Sequence, residues 1–406
     1  MILRARTVVT MEGTPIDNGA VSIDGERIVD VGAFGEIKAR RSGETVDLGE
    51  QALLPGLINA HCHLDYTCLR SKIPPSKIFT DWIRAIVSEK EKLSPQDYVG
   101  SINAGFAEAK GFGTTTIANL TSFPELIQQI TPPIRIWWFP ELIDVRTSPG
   151  GAANLTGLTG QVLGGSRALF KKWGLAPHAP FTASADLYRQ CEAIARREHL
   201  LLTTHLAESR DEMQMFSESR GPLFDFLSEM GRDNSDLHGA TPVEHVSTFC
   251  EMNEHWLLVH LNEILTRDLD ILRRSSTLPH VVHCPRSHDY FRHSPFQFRK
   301  LRELGFNICL GTDSLASNDD LSLFAEMRAF QRNDPSTSAR QILEMVTVNA
   351  ARALGQSDRL GQIWPGFLAD LIAVPCTGST SAFEEIVAFD GAVPWMMIGR
   401  KEPATK

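Results

Sequence analysis

The sequence predicts an α/β protein: a (β/α)8 TIM-type barrel with a small β-sandwich domain built from both chain ends. Three observations carry this reading. Between about residues 57 and 355, eight short apolar runs alternate with longer amphipathic ones. Both chain ends read as short strands broken by turns. Six of the eight central runs end in histidine or aspartate, and the C-terminal ends of barrel strands are where such folds carry their chemistry.

The elements follow in order. Ile2–Thr10, Gly19–Ile23 and Arg27–Gly32 are rich in Val, Ile and Thr and are interrupted by Gly13-Thr-Pro and Asp24-Gly25. An Asp-Gly between two strand-like segments is a hairpin signal. The candidate barrel strands are Leu57–His63, Thr114–Leu120, Ile134–Pro140, Gly174–His178, Leu200–His205, Trp256–His260, Val281–His283 and Phe306–Thr312. Asp186–Glu198 and Leu321–Arg332 are two of the amphipathic helices between them. A doubly wound sheet is the alternative, but no Gly-x-Gly-x-x-Gly turn follows a strand. From Gly361 the chain returns to strands and turns, with a second Asp-Gly at Asp390 and a strand over Val393–Ile398. Neither end is long enough to bury a sheet alone, so the two are expected to pair. This assigns residues 1–56 plus 358–406 to the composite domain and 57–357 to the barrel.

Composition narrows the function. At 406 residues with 42% hydrophobic and 22% charged content, the chain can bury a full core. A net charge of −9 argues against a nucleic-acid binder. Cys62, Cys68, Cys191, Cys250, Cys284, Cys309 and Cys376 are odd in number, widely spaced and without a Cys-x-x-Cys pair. That fits reduced thiols. No apolar run reaches membrane-spanning length and the first residues lack a signal-peptide core. A cytoplasmic protein, with neither membrane nor nucleic acid as partner, is expected.

The chemistry starts at His61 and His63, which end an apolar run and stand two positions apart. A strand puts such residues on one face, and neutral imidazole suits zinc, iron or nickel. Alone, the pair is ambiguous. But the fourth strand ends in Ala-Pro-His178-Ala-Pro, the fifth in Thr-Thr-His205-Leu-Ala-Glu208, the sixth in Leu-Val-His260, the seventh in His283-Cys-Pro-Arg-Ser and the eighth in Gly-Thr-Asp313-Ser. Polar groups on apolar strands cost free energy unless paired or ligated, and one shared metal would satisfy several. Trp82, Trp137 and Trp138 are candidates to stack on a planar base, with core packing the alternative. Arg146 and Arg286 are candidates for a carboxylate tail, with surface ion pairs the alternative.

At this point the chain resembles the amidohydrolase superfamily of metal-dependent hydrolases. The resemblance runs nearly end to end, through Pro-Gly-Leu-Ile-Asn-Ala-His-Cys-His, Ala-Pro-His178-Ala-Pro-Phe-Thr, Thr-His205-Leu-Ala-Glu208, Leu-Gly-Thr-Asp313-Ser-Leu-Ala-Ser-Asn, Asn349-Ala-Ala-Arg-Ala-Leu-Gly and Pro-Gly-Phe-Leu-Ala-Asp370-Leu. It implies a barrel with a split β-domain, and within the superfamily the branch of mononuclear aminohydrolases of nucleobase-like rings. It implies His61, His63, His205 and Asp313 as metal ligands, and Asp313 also as acceptor of the water's proton. Glu208 becomes the proton-shuttling acid, His260 the group that orients nucleophile or oxyanion, and His178 a substrate contact. Binuclear relatives carry a carboxylated lysine where His178 stands, and Lys171 and Lys172 fall before the strand, so one metal per chain is implied, zinc ahead of iron. A homodimer is also a frequent state of the family.

The chemistry agrees. A bound divalent ion lowers the pKa of water from ~15.7 toward ~7. Amide ion is a very poor leaving group, so deamination also needs an acid such as Glu208 to protonate the ring and then the amino group. The His-Leu-Asn-Glu263 that repeats the spacing is expected on the following helix, outside the site. Cys284 need not be a ligand, since the His-x-Glu and Pro-Cys-x-x-Cys elements of the other zinc deaminases are absent.

Deaminases of adenosine, S-adenosylhomocysteine and methylthioadenosine usually carry His-Cys-Val-His at the sixth strand and Asn-Pro-x-Ser-Asn at the seventh. This chain has Val-His260-Leu-Asn-Glu and His283-Cys-Pro-Arg-Ser instead. It looks more like the aminodeoxyfutalosine deaminase-like members, so the expected substrate is a 6-aminopurine nucleoside of that kind or an adenosine derivative. A chlorotriazine or cyclic-amide hydrolase is the alternative on the same scaffold, and a non-catalytic paralogue is a third reading that would need a broken ligand set.

Overall fold

The computed structural model describes residues 1–144, 173–378 and 381–399. Eight parallel strands form the central sheet: β6 (Leu57–Cys62), β7 (Thr114–Thr121), β8 (Arg135–Leu142), β9 (Gly174–Pro177), β10 (Leu201–Leu206), β11 (Trp256–His260), β12 (His280–His283) and β13 (Asn307–Leu310). Each pairs with the next in chain order. The last returns to the first through a bridge between Cys62 and Asp313. The N–H groups of Thr312 and Asp313 both donate to the His61 carbonyl, at 3.0 and 3.2 Å. The barrel is nearly closed, as the alternation predicts.

Closure depends on Gly311. A Cβ there would lie 2.7 Å from the His61 carbonyl oxygen and 2.9 Å from the His61 Cβ. Only glycine lets the eighth strand come this close to the first.

The strands are buried on both faces, which explains their unbroken apolar runs. Parity sorts the faces. Trp137 and Phe139 of β8, Ala176 of β9, Leu257 and Val259 of β11, and Val282 of β12 form one cluster, on the barrel's inner side. Leu202 and Leu206 of β10, Leu258 of β11 and Val281 of β12 join a second, which packs against the helices. Two of those helices, Ala185–Glu198 and Leu323–Asn333, are capped by Ser184 and Ser322 accepting backbone N–H bonds.

The two ends build one mixed sheet of seven strands: β1 (Ile2–Val8), β2 (Ile16–Asp24), β3 (Arg27–Ala33), β4 (Thr45–Asp47), β5 (Gln51–Pro55), β14 (Leu371–Pro375) and β15 (Trp395–Met397). Strand β5 lies between β1 and β14, so the C-terminal strands are bonded directly to the N-terminal ones. The Asp24-Gly25 hairpin is present, with Gly25 at φ +57°. The helices Phe34–Arg40 and Ala382–Ala388 are additions that the strand-and-turn reading lacked. Asp370 ties sheet to barrel: it takes two bonds from the Arg135 guanidinium of β8, at 2.6 and 3.0 Å, and its carbonyl accepts from Gly56 N–H. No described helix is long and apolar enough to cross a membrane. All seven cysteines are free thiols.

Candidate metal and catalytic site

Three of the eight strands end in a left-handed turn. Ala207 follows β10 at φ +49°, His260 and Leu261 close β11 at +79° and +48°, and Asp313 follows β13 at +56°. Non-glycine residues in this region cost about 1–3 kcal/mol each and persist where the surroundings hold them. The turn at His260 has a visible effect. This residue shares parity with Leu258, which packs outward, yet its imidazole lies 5.4 Å from the His205 ring and 6.0 Å from that of His61.

The expected ligand residues converge. Asp313 Oδ1 stands 3.6 Å from both His61 Nε2 and His63 Nε2, and His63 Nε2 stands 3.3 Å from His205 Nε2. Tetrahedral bonds of about 2.0–2.1 Å would separate neighbouring ligand atoms by about 3.4 Å. Two overlapping triads, His61–His63–Asp313 and His61–His205–His260, each bring their ligand atoms within 4.8 Å of one another. His63 itself lies one residue past the strand, opening the turn Leu64–Leu69, so it reaches the cluster from a loop.

The donor chemistry fits a cation. Both ring nitrogens of fully buried His61 lack a hydrogen-bond partner, and buried polar atoms are rarely left so. His205 donates its Nδ1–H to the His178 carbonyl at 2.9 Å, which leaves the Nε2 lone pair facing the cluster. Burial holds the His205 and His260 imidazoles well below their ordinary pKa, and His63 at about 4. Neutral rings are the ligating form. Asp313 is held the other way. Burial alone would raise its carboxyl, but the imidazoles around it, His61 first, bring it well below the usual range. Ser287 and Ser317 donate to its Oδ2 at 2.6 and 3.2 Å, leaving Oδ1 for the cluster.

Beside these groups lies Glu208, its Oε1 3.5 Å from His260 Nε2. Burial first, then the charges of Asp313 and Glu212, push its carboxyl well above the ordinary range.

All of these groups except His61 line one cavity of about 360 Å³, together with His178 and Trp82. His178 is anchored by its Nδ1 to Thr182 Oγ1 at 2.7 Å. Trp82 donates its indole N–H to the Ala316 carbonyl and lies against Phe79, 5.9 Å between ring centres. The outer cavity is apolar: Ile83, Ile86 and Val87 from the helix Phe79–Lys90 face Leu223, Phe226 and Leu227 from the helix Pro222–Glu229.

Several candidates fall elsewhere. Trp137 and Trp138 are buried in the apolar clusters, not in the cavity wall. Arg286 pairs with Asp319 and Asp320. His283 is one residue out of phase with Val282, so its ring faces outward and stacks on Phe296, 3.9 Å between centres. Glu263 is outside the cavity wall, but on the loop before the helix Thr266–Leu272 rather than on the helix. Arg146, Lys171 and Lys172 lie outside the described residues.

Glu141 was not foreseen. It ends β8, lines the cavity, and sits 3.5 Å from His63 Nδ1 and 3.8 Å from His178 Nε2. Burial alone would raise its carboxyl; the His63 and His178 imidazoles bring it to about 2. It directly follows the third apolar run, Ile134–Pro140, but nothing local sets it apart from a solvated carboxylate.

The comparisons with known proteins agree with this architecture. The profile of the amidohydrolase family matches residues 52–391. A 5-methylthioadenosine/S-adenosylhomocysteine deaminase of Syntrophobacter fumaroxidans is 30% identical over 396 residues, covering 89% of this chain and 81% of that protein. The aminofutalosine deaminase of Helicobacter pylori, solved with methylthio-coformycin, superposes with a TM-score of 0.86 at 20% identity, over 98% of both chains. The atrazine chlorohydrolase of Arthrobacter aurescens, solved with zinc, gives 0.79 at 19% identity, over 98% of this chain and 94% of that one.

Proposed function

The chain belongs to the amidohydrolase family, and from that premise we propose that it is a metal-dependent hydrolytic deaminase of a 6-aminopurine nucleoside. One observation carries the reading: the convergent His61–His63–His205–Asp313 set opens, through all but His61, onto the cavity that buried Glu208 also lines. In this reading those four residues hold one divalent ion per chain, zinc ahead of iron. The ion would supply hydroxide at neutral pH by lowering the pKa of a bound water.

The protein's own groups do the rest. Asp313 accepts the proton that the water gives up. Glu208 gives its proton to the ring nitrogen beside the reacting carbon, takes up the proton of the added hydroxyl as that carbon becomes a carbonyl, and passes it to the departing amino group, which leaves as ammonia; the proton held on Asp313 then restores Glu208. His260, 3.5 Å from Glu208, orients the attacking or developing oxygen. His178 contacts the ring, and Trp82 closes the wall. The apolar outer cavity suits a nucleoside with an apolar substituent beyond the sugar, such as the 5′-methylthio group that the name of the relative describes. Chloride leaves an aryl carbon without a proton, so a raised Glu208 favours deamination over dechlorination.

The test is to quantify metal in the purified protein and offer it adenosine, 5′-methylthioadenosine, S-adenosylhomocysteine, aminodeoxyfutalosine and a chlorotriazine. Ammonia and chloride are read separately. One metal per chain with ammonia from a 6-aminopurine nucleoside is expected. Two metals per chain, or chloride without ammonia, would overturn it.

A further inference from the structure

One buried carboxylate close to the cavity is outside its wall. Glu212, the third residue of the helix Arg210–Glu218, is fully buried and does not line the cavity. Its Oε1 accepts the N–H of Ala207 at 3.1 Å, and its Oε2 the N–H of Glu208 at 2.6 Å. These are the two peptides of the left-handed turn that carries the acid. Glu212 is itself fixed, since its own N–H donates to the helix cap Ser209 Oγ at 3.1 Å. The turn is gripped from its other side too: Asn262 Nδ2 donates to the Glu208 carbonyl at 3.0 Å, and Asn262 Oδ1 accepts from His288 Nδ1 at 3.0 Å.

We propose that Glu212 is a positioning residue for proton transfer: its two carboxylate oxygens lock the Ala207–Glu208 peptides so that the Glu208 side chain faces His260 and the reacting atoms. The inference rests on Glu208 being the proton-transferring acid. Filling space does not require a carboxylate here, because an apolar side chain would do so without desolvating a charge. Two converging N–H groups do require one. Burial pushes the Glu212 carboxyl up to about 8, against the pull of its backbone N–H bonds, so what the two N–H groups select for is two acceptor oxygens on one side chain of this length, and neither Gln nor Asp supplies both. Gln has one acceptor oxygen and turns an NH2 against the second N–H. Asp is one methylene too short.

The test is a double-mutant cycle. Glu212→Gln is made in the native chain and in Glu208→Gln, both metal-loaded. Ammonia release from 5′-methylthioadenosine is followed with enzyme in excess and long incubation, so that slow variants stay measurable. Metal per chain, melting temperature and amide hydrogen exchange of the Ala207–Glu208 segment are read in parallel. In the native background the rate should fall roughly 10- to 100-fold, with KM and metal content little changed and exchange of the segment faster. In the Glu208→Gln background the further loss should be less than about twofold. Equal losses in both backgrounds, or a loss that tracks loss of metal, overturn the proposal. If Glu208→Gln alone leaves the rate intact, the reading of Glu208 falls and takes this one with it. Should Glu212→Gln fail to fold, Glu212→Asp, which keeps the carboxyl group, goes through the same cycle with the same outcomes.

Discussion

Glu208 and Asp313 are both buried carboxyls in one cavity, and their surroundings drive them apart. Asp313 faces imidazoles and serine hydroxyls and is held well below the usual carboxylate range, while burial and the charges of Asp313 and Glu212 push Glu208 well above it. That division is what an acid and a base in the same step need. Glu208→Gln keeps the shape and removes the transferable proton. Ammonia release should drop by about 10²–10⁴-fold with metal per chain unchanged; full kcat in a metal-loaded Glu208→Gln would end its assignment as the acid. Asp313→Asn and His205→Ala should instead lose metal, read as metal per chain after gel filtration. Most of these side chains were legible in the sequence because each ends an apolar run. Glu141 and Glu212 were not. Nothing local distinguishes a carboxylate that contacts two imidazoles, or one that accepts two amides, from a solvated one.

The strand ends are the elements that build the site, and several do so by breaking their own regularity. His260 reaches the cavity because the backbone leaves β11 in a left-handed turn. His283 keeps its register and so points away. The closure of β13 on β6 depends on the missing side chain of Gly311. Gly311→Ala places a methyl against the His61 backbone, so one strand must shift. The expected cost is about 1–3 kcal/mol, read as a lower melting temperature together with weaker metal retention. Unchanged values of both would mean that the two strands part without disturbing His61.

The two parts of the molecule share one apolar cluster, in which Leu54 and Ile372 of the sheet lie with Phe324 and Met327 of a barrel helix, and Asp370 adds a buried ion pair across the join. Its carboxylate takes two bonds from the Arg135 guanidinium and one from the Gly399 N–H, 2.9 Å away. Both Arg135 and Asp370 side chains are largely buried. Asp370→Ala leaves that guanidinium without its carboxylate, with only the Gly399 carbonyl to accept from it, and should cost roughly 3–5 kcal/mol. Thermal unfolding should fall by several degrees while the folded fraction keeps its metal. A melting temperature equal to that of the native chain would show that the β-sheet contacts suffice.

By itself the sequence determined the strand–helix alternation, the pairing of the two ends, and the residue types at the strand termini. Those properties are periodic or local: hydrophobic spacing, turn residues, and polar groups at the close of apolar runs. Tertiary structure alone decided which strand-end groups meet. His260 and His283 look alike in sequence, and the left-handed turn at one and the regular register of the other send them to opposite sides of the barrel wall. It also decided which carboxyls are pushed up and which are held down. That depends on burial and on charges brought near by the fold from distant parts of the chain, as Asp313 is brought to Glu208.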